Sequence, residues 1–119
     1  MFEIFVEHTF ASAHFLRDYK GKCENLHGHN YRVQVGMTGE LDQHGMLFDF
    51  ADLKQRLRTA SAYLDHQCLN ELKPFDEINP SAENVAKFLF EEIQKGLASA
   101  KLAYVRVWET DTSCAVYRG

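Results

Sequence analysis

Two stretches of apolar–polar alternation constrain the fold of this chain more than any other feature. In residues 2–10 every second side chain is apolar or, once, histidine, and the same parity continues to Ser12 and His14. In residues 27–37 one parity collects His27, His29, Tyr31, Val33, Val35 and Met37. A period of two indicates a strand with one buried face. The sequence therefore predicts two half-buried strands that both carry histidines at one end.

Two amphipathic helices are predicted in the middle of the chain. Asp49 is typical of a helix N-cap, and apolar residues follow it at spacings of three and four through residues 50–64. A second helix is expected to begin near residues 79–81, where Pro80 suits the first helical turn, and to end at Gly96.

Three shorter strands complete the prediction. A returning strand is expected at residues 46–48, alternation resumes over residues 104–109, and a last strand follows at residues 114–117. The order of strands and helices favours an α+β fold with an antiparallel sheet. With 119 residues the chain is long enough for one domain, residues 1–119, and too short for two of ordinary size. A sheet of four modest strands makes a weak core alone, so assembly is expected.

Composition excludes several functional classes. The formal net charge of −4 argues against general nucleic-acid binding, which depends on Lys and Arg meeting phosphates. No apolar run approaches the roughly 18 residues needed to cross a bilayer, so no membrane partner is expected. The first residues have the pattern of a strand and not that of a signal peptide, which makes a cytoplasmic location the expectation. Three widely spaced cysteines argue against a disulfide framework.

A metal site is predicted where the first two strands carry their histidines. His27 and His29 are two residues apart, so their side chains project from one strand face roughly 6.5–7 Å apart at Cα. Such a pair alone is more often two surface or core histidines than a metal site. His14, at the same-face end of the neighbouring strand, supplies a third nitrogen. Three nitrogen ligands leave a fourth tetrahedral position open, which is the arrangement of a catalytic zinc ion.

Cys23 is the candidate nucleophile or base. It lies four residues before His27 in a loop that contains lysines, and nearby positive charge or a metal lowers a thiol pKa and generates the reactive thiolate. Cys68 and Cys114 are interpreted as small buried hydrophobic residues. The basic residues of the same loop are compatible with a phosphorylated small substrate.

Three acid–base residues complete the candidate set. Asp65 and His66 follow the first predicted helix, and an adjacent carboxylate and imidazole can form an oriented acid–base pair; solvated or capping roles are the alternative. Glu109 shares parity with apolar neighbours, which aims its carboxylate at the buried face of the sheet, where it needs a partner. That partner is either a ligand with an N–H edge or a structural salt bridge or helix cap.

Taken together, these residues resemble the 6-pyruvoyltetrahydropterin synthase family. The resemblance spans nearly the whole chain and rests on five separated motifs in the same order: Phe10-x-Ser12-Ala13-His14, Cys23-x-x-x-His27-Gly28-His29-Asn30-Tyr31, Leu64-Asp65-His66, Pro80-Ser81-Ala82-Glu83-Asn84 and Glu109-Thr110-Asp111.

The resemblance implies a tunnelling fold. In that fold a four-stranded antiparallel sheet has two helices on one face, three chains close a β-barrel, and two trimers stack as a homohexamer.

The resemblance also implies a role for each candidate residue. His14, His27 and His29 correspond to Zn²⁺ ligands, and Cys23 to a catalytic thiol that works with the pair matching Asp65 and His66. Among substrate-binding residues, Glu109 corresponds to the carboxylate that holds the pterin, while Ser81 and Glu83 correspond to residues at a helix start that lines the pterin pocket between subunits.

Branches of the family differ in their reaction. On 7,8-dihydroneopterin triphosphate, one branch makes 6-pyruvoyltetrahydropterin, and a bacterial branch makes 6-carboxy-5,6,7,8-tetrahydropterin for queuosine synthesis, with release of acetaldehyde and triphosphate. Only three residues separate Cys23 from His27, which resembles the compact loop of the bacterial branch. A third branch has glutamate in place of the cysteine and cleaves dihydroneopterin, so Glu24 raises the question of a second activity. A non-catalytic zinc- or pterin-binding module is the alternative from another functional class.

Overall fold

A long antiparallel hairpin forms the centre of the structure, a computed structural model that describes residues 1–119. Strand β1 (Phe2–His14) pairs along its whole length with strand β2 (His27–Gly39). The register places Phe2 opposite Gly39 and His14 opposite His27. Both predicted strands are therefore confirmed, and the hairpin brings the predicted histidines to its open end.

Three further strands extend the sheet. Strand β3 (Gln67–Cys68) runs parallel to the end of β1, whereas β4 (Tyr104–Thr110) and β5 (Ser113–Arg118) continue the antiparallel order beyond β2. The spatial order is β3-β1-β2-β4-β5. The four long strands are antiparallel as predicted, but the sheet as a whole is five-stranded and mixed.

The strand predicted at residues 46–48 is wrong. Asp42 closes a tight turn there, because its carboxylate accepts hydrogen bonds from the backbone N–H groups of His44 and Met46 and its own N–H bonds to the Met46 carbonyl. These bonds occupy the backbone groups that a strand would offer to a neighbour. Leu47 and Phe48 instead pack their side chains against the core.

Helices α1 (Phe50–Ala62) and α2 (Ala82–Lys95) lie against one face of the sheet. Asp49 caps α1 as predicted by accepting a hydrogen bond from the Ala51 N–H. Ser81 caps α2, so Pro80 lies just outside that helix and not in its first turn as predicted. Neither helix has the length and apolar character needed to cross a membrane.

The core lies between the helices and the sheet and contains 20 buried hydrophobic residues. Val33 and Val35 of β2, Val107 of β4 and Leu57 of α1 are completely buried in it. The opposite face of the sheet has no helix over it. In addition, β5 and most of β1 have one edge without a neighbouring strand. A single chain thus leaves open two strand edges of the kind that proteins normally cover or pair.

Candidate metal and active site

Three histidines converge at the open end of the hairpin. His14 is the last residue of β1, His27 faces it as the first residue of β2, and His29 follows on the same face of β2. One ring nitrogen from each lies within 4.8 Å of the others. The convergence expected from the sequence is confirmed, and these three side chains can hold a metal ion. Their role as ligands remains a prediction.

The hydrogen bonds of the three rings fit a metal. Nδ1 of His14 lies 2.7 Å from the Pro80 carbonyl oxygen, and Nδ1 of His27 lies 2.8 Å from the Asn25 carbonyl oxygen. A Nδ1–H that donates to a carbonyl leaves the Nε2 lone pair free for a metal. Nε2 of His29 is buried and has no hydrogen-bond partner.

That orphaned nitrogen is informative, because buried polar atoms are normally paired. The only other buried side-chain polar atom without a partner is the Ser61 hydroxyl. Burial also lowers the pKa of His29, which favours the neutral ring that a metal requires. The donor set therefore matches a three-histidine metal site with an open position.

Glu109 faces this cluster from the end of β4. Its two carboxylate oxygens lie 3.9 Å from Nε2 of His14 and 3.9 Å from Nε2 of His29. These distances are too long for hydrogen bonds and leave room for a bound group. Glu109 makes no ion pair with Lys or Arg and caps no helix. The helix-cap alternative considered for Glu109 is therefore wrong, and the salt-bridge partners of its carboxylate are His14 and His29 of the cluster.

Tyr31 contacts His14 of the cluster through its hydroxyl, a role that the sequence analysis did not predict. Its completely buried ring stacks on Phe10 with centroids 5.0 Å apart, and its hydroxyl lies 3.1 Å from Nδ1 of His14. Burial raises the pKa of Tyr31, so its hydroxyl stays neutral. Tyr31 and His29 are two residues apart on β2 and so share one face, and this was the sequence signal that could have identified Tyr31. Tyr31 and the Pro80 carbonyl together fix the orientation of the His14 ring.

Replacing Tyr31 with phenylalanine is expected to weaken metal affinity about tenfold, because partners of a ligating histidine contribute roughly 10–100-fold to affinity. Competition with a chromogenic chelator measures the change. Tyr117→Phe is the matched control, since that ring packs on Phe90 and its hydroxyl makes no hydrogen bond. Equal affinity in Tyr31→Phe and wild type would show that the hydroxyl does not orient His14.

Asp65 and His66 form the predicted carboxylate–imidazole pair. His66 Nδ1 lies 3.0 Å from one Asp65 oxygen, and the other oxygen accepts a hydrogen bond from the Ala11 N–H at 3.0 Å. The His66 N–H in turn donates to the Ala11 carbonyl. The Ala11 hydrogen bond, followed by the nearby imidazole, lowers the pKa of Asp65. The pair is anchored to β1 and caps no helix, while the His66 ring is 82% exposed.

Cys23 is exposed in the loop between β1 and β2. Next to it, Glu24 ties the loop to the end of β1, because its N–H donates to the Leu16 carbonyl and its carboxylate accepts from the Leu16 N–H at 3.1 Å. Within one chain no hydrogen bond joins Cys23 to Asp65 or His66. The catalytic role of Cys23, Asp65 and His66 stays a prediction.

Pro80, whose carbonyl contacts His14, lies directly before Ser81 at the start of α2; the pterin-pocket roles of Ser81 and Glu83 stay predictions. The Ser81 hydroxyl accepts from the Asn84 N–H, and Glu83 is exposed in the first turn. Arg17, one of the basic loop residues, donates its guanidinium to three backbone carbonyls and so has a structural use.

The fold and the site define an α+β protein of the tunnelling-fold type with a cluster of three histidines that could hold a metal ion. The family described as 6-pyruvoyl tetrahydropterin synthase matches residues 3–119. The chain belongs to the 6-pyruvoyl tetrahydropterin synthase family, as the sequence motifs predicted.

Relatives with two different names resemble the chain. It is 41% identical over 126 residues to human 6-pyruvoyl tetrahydrobiopterin synthase, covering 93% of this chain and 87% of the human protein. It is 32% identical over 141 residues to 6-carboxy-5,6,7,8-tetrahydropterin synthase of Haemophilus influenzae, covering 99% of both. The solved structure of 6-pyruvoyl tetrahydropterin synthase from Caenorhabditis elegans superposes with a TM-score of 0.86 at 30% identity, covering 99% of this chain and 95% of the other.

Proposed function

We propose that this protein converts 7,8-dihydroneopterin triphosphate and one water molecule to 6-carboxy-5,6,7,8-tetrahydropterin, with release of acetaldehyde and triphosphate, as a zinc-dependent lyase of queuosine biosynthesis. The observation that carries the proposal is the three-histidine cluster with the Glu109 carboxylate 3.9 Å from two of its nitrogens. The proposed location is the cytoplasm, where free thiols such as Cys23 stay reduced.

Zinc is the proposed metal because three neutral imidazoles with an open fourth position suit a catalytic zinc ion. His14, His27 and His29 would hold it. When bound, such an ion acts as a Lewis acid that polarises substrate oxygens and eases the loss of adjacent protons. The hydrogen bonds from His14 and His27 to backbone carbonyls would keep their rings oriented for that role.

The remaining residues bind the substrate and move protons. The Cys23 thiolate would take a proton from the substrate side chain, and His66, oriented by Asp65, would relay protons to and from it. Glu109 would accept the N–H edge of the pterin ring and hold the reacting carbons at the metal. The start of α2, with Ser81 and Glu83, would line the pterin pocket.

A second copy of the chain is needed in this proposal. Cys23 and His66 are both exposed and unconnected within one chain. The open edges of β1 and β5 run in opposite directions, so β5 of one copy can pair antiparallel with β1 of the next. Repeated head-to-tail pairing closes a ring. We propose a trimer that closes a β-barrel and a homohexamer made of two such trimers, with each pocket completed between neighbouring subunits.

The compact loop between Cys23 and His27 supports the carboxy product. Only three residues lie between them, and one of these, Glu24, ties the loop to Leu16 by two hydrogen bonds. The alternative is 6-pyruvoyltetrahydropterin synthesis by triphosphate elimination, which the similarity to the human protein favours.

Mass spectrometry of the product from purified zinc-loaded protein and 7,8-dihydroneopterin triphosphate tests this proposal. We expect the carboxy pterin together with one acetaldehyde per turnover. A pyruvoyl pterin would establish the alternative, and an unchanged substrate would indicate a non-catalytic binding module. Cleavage of dihydroneopterin to the hydroxymethyl pterin would reveal a second activity, and its loss in Glu24→Gln would assign that activity to Glu24.

A further inference from the structure

Tyr104 lies on the face of the sheet opposite the helices and yet is only 1% exposed. It pairs in register with Gly36 of β2, and a Cβ at Gly36 would lie 2.2 Å from the Tyr104 ring. The absence of a side chain at Gly36 therefore lets the ring pack directly on the β2 backbone. The Tyr104 hydroxyl donates to the Gln34 side-chain oxygen at 3.0 Å, which fixes the ring in place.

Two arginines cover the other side of this ring. Arg106 follows two residues after Tyr104 on β4, and Arg118 pairs with Tyr104 from β5. Their guanidinium carbons lie 4.6 Å and 5.4 Å from the ring centroid. Because β2 blocks one side of the ring, both guanidinium groups occupy its solvent side. The ring holds two positive charges from two strands at one place on the sheet, through cation–π attraction.

Neither charge is neutralised within the chain. On the same face Arg32 forms an ion pair with Glu7 at 3.3 Å, whereas Arg106 and Arg118 form no ion pair. Two carboxylates lie on this face of β1: Glu3 lies 3.5 Å from the Tyr104 hydroxyl, and Glu7 is held by Arg32 and Gln34. Neither forms an ion pair with Arg106 or Arg118. Two like charges held together repel each other, and an anion bound between them would relieve that repulsion.

We propose that Arg106, Arg118 and Tyr104 form a binding site for a polyphosphate anion. Each guanidinium presents a planar set of N–H donors that matches phosphate oxygens. Because the two guanidinium groups come from different strands, a ligand that binds both must offer oxygens on more than one side. A phosphoryl chain offers such oxygens, whereas a carboxylate offers two oxygens in one plane. The site is separate from the histidine cluster, which lies on the helix-covered side at the hairpin end, and it does not depend on the proposed reaction.

Isothermal titration of inorganic triphosphate into the full-length protein, without substrate, tests the site. We expect binding that weakens as salt is raised and that is at least tenfold weaker in R106Q/R118Q. Because Arg118 is exposed, R118Q alone is the variant least prone to misfold, and we expect it to bind several-fold more weakly. R58Q, which removes an exposed arginine of α1 that forms no ion pair, is the matched control and should bind like wild type.

The proposal is overturned if wild-type protein binds no triphosphate, or if R106Q/R118Q binds it as tightly as wild type. Loss of binding in K20Q/K22Q with full binding in R106Q/R118Q would also overturn it, because that result would assign the anion to the Cys23 loop. A normal product profile for wild-type protein alongside any of these results would leave the proposed function standing.

Discussion

Alanine in place of Cys23 should lower turnover by at least about 100-fold and leave the bound zinc unchanged. A positioned acid–base group typically contributes roughly 10²–10⁴-fold to a rate. Cys23 lies outside the cluster of three histidine nitrogens, so its loss removes no metal ligand. Zinc per chain, measured by plasma mass spectrometry, and substrate consumption under single-turnover conditions give the two readouts.

Cys114→Ala is the matched control for this experiment. Cys114 is also a free cysteine, and it is exposed, not buried as predicted from the sequence; it lies on β5, two strands away from β2, opposite Trp108 of β4. We expect normal turnover and normal zinc in that variant. Near-normal turnover in Cys23→Ala would contradict the role proposed for the thiol, and loss of zinc in Cys23→Ala would instead make Cys23 a fourth ligand of a closed, structural site.

The long strands could be predicted because each has its own alternation, and that alternation is local. Strand β3 could not, since Gln67 and Cys68 are too few to show any period and become a strand only by pairing with Ser12 and Ala13 of β1. The strand predicted at residues 46–48 was wrong for the opposite reason. Its short apolar run has strand character, but the backbone bonds of the Asp42 turn decide its conformation.

The histidine cluster could be predicted because strand parity and hairpin register both follow from sequence. Its supporting groups could not be predicted in the same way. The Pro80 carbonyl is a backbone atom with no sequence signature, and it reaches His14 only because α2 begins at Ala82 and leaves Pro80 outside the helix. The anchor of Asp65 on the Ala11 backbone likewise depends on tertiary contact.

The proposed catalytic residues Asp65 and His66 are not joined to Cys23 by hydrogen bonds within one chain. The resemblance groups Cys23 with Asp65 and His66, whereas in the single chain Cys23 and His66 are both exposed and form no hydrogen bond with each other. The open sheet edges on β1 and β5 are available to another copy, which in the proposed function completes each pocket. Assembly and catalysis are therefore coupled in the proposed function, and dissociating the subunits should inactivate the enzyme without unfolding the histidine site.

Removing one histidine of the cluster should abolish metal binding and the stability that the metal provides. His29→Ala leaves two nitrogens, too few for the proposed zinc site, and bound zinc should fall below about a tenth of an ion per chain. A ligand present at about 100 times its Kd stabilises the folded state by roughly 2.7 kcal/mol, which corresponds to a Tm shift of about 10 °C for a chain of this size. Adding a chelator should therefore lower the Tm of wild type by about that amount and leave the Tm of His29→Ala unchanged.

His8→Ala, which removes a histidine from β1 outside the cluster, should keep the chelator-sensitive shift. A His29→Ala protein that retains zinc and the same shift would show that the metal is held elsewhere.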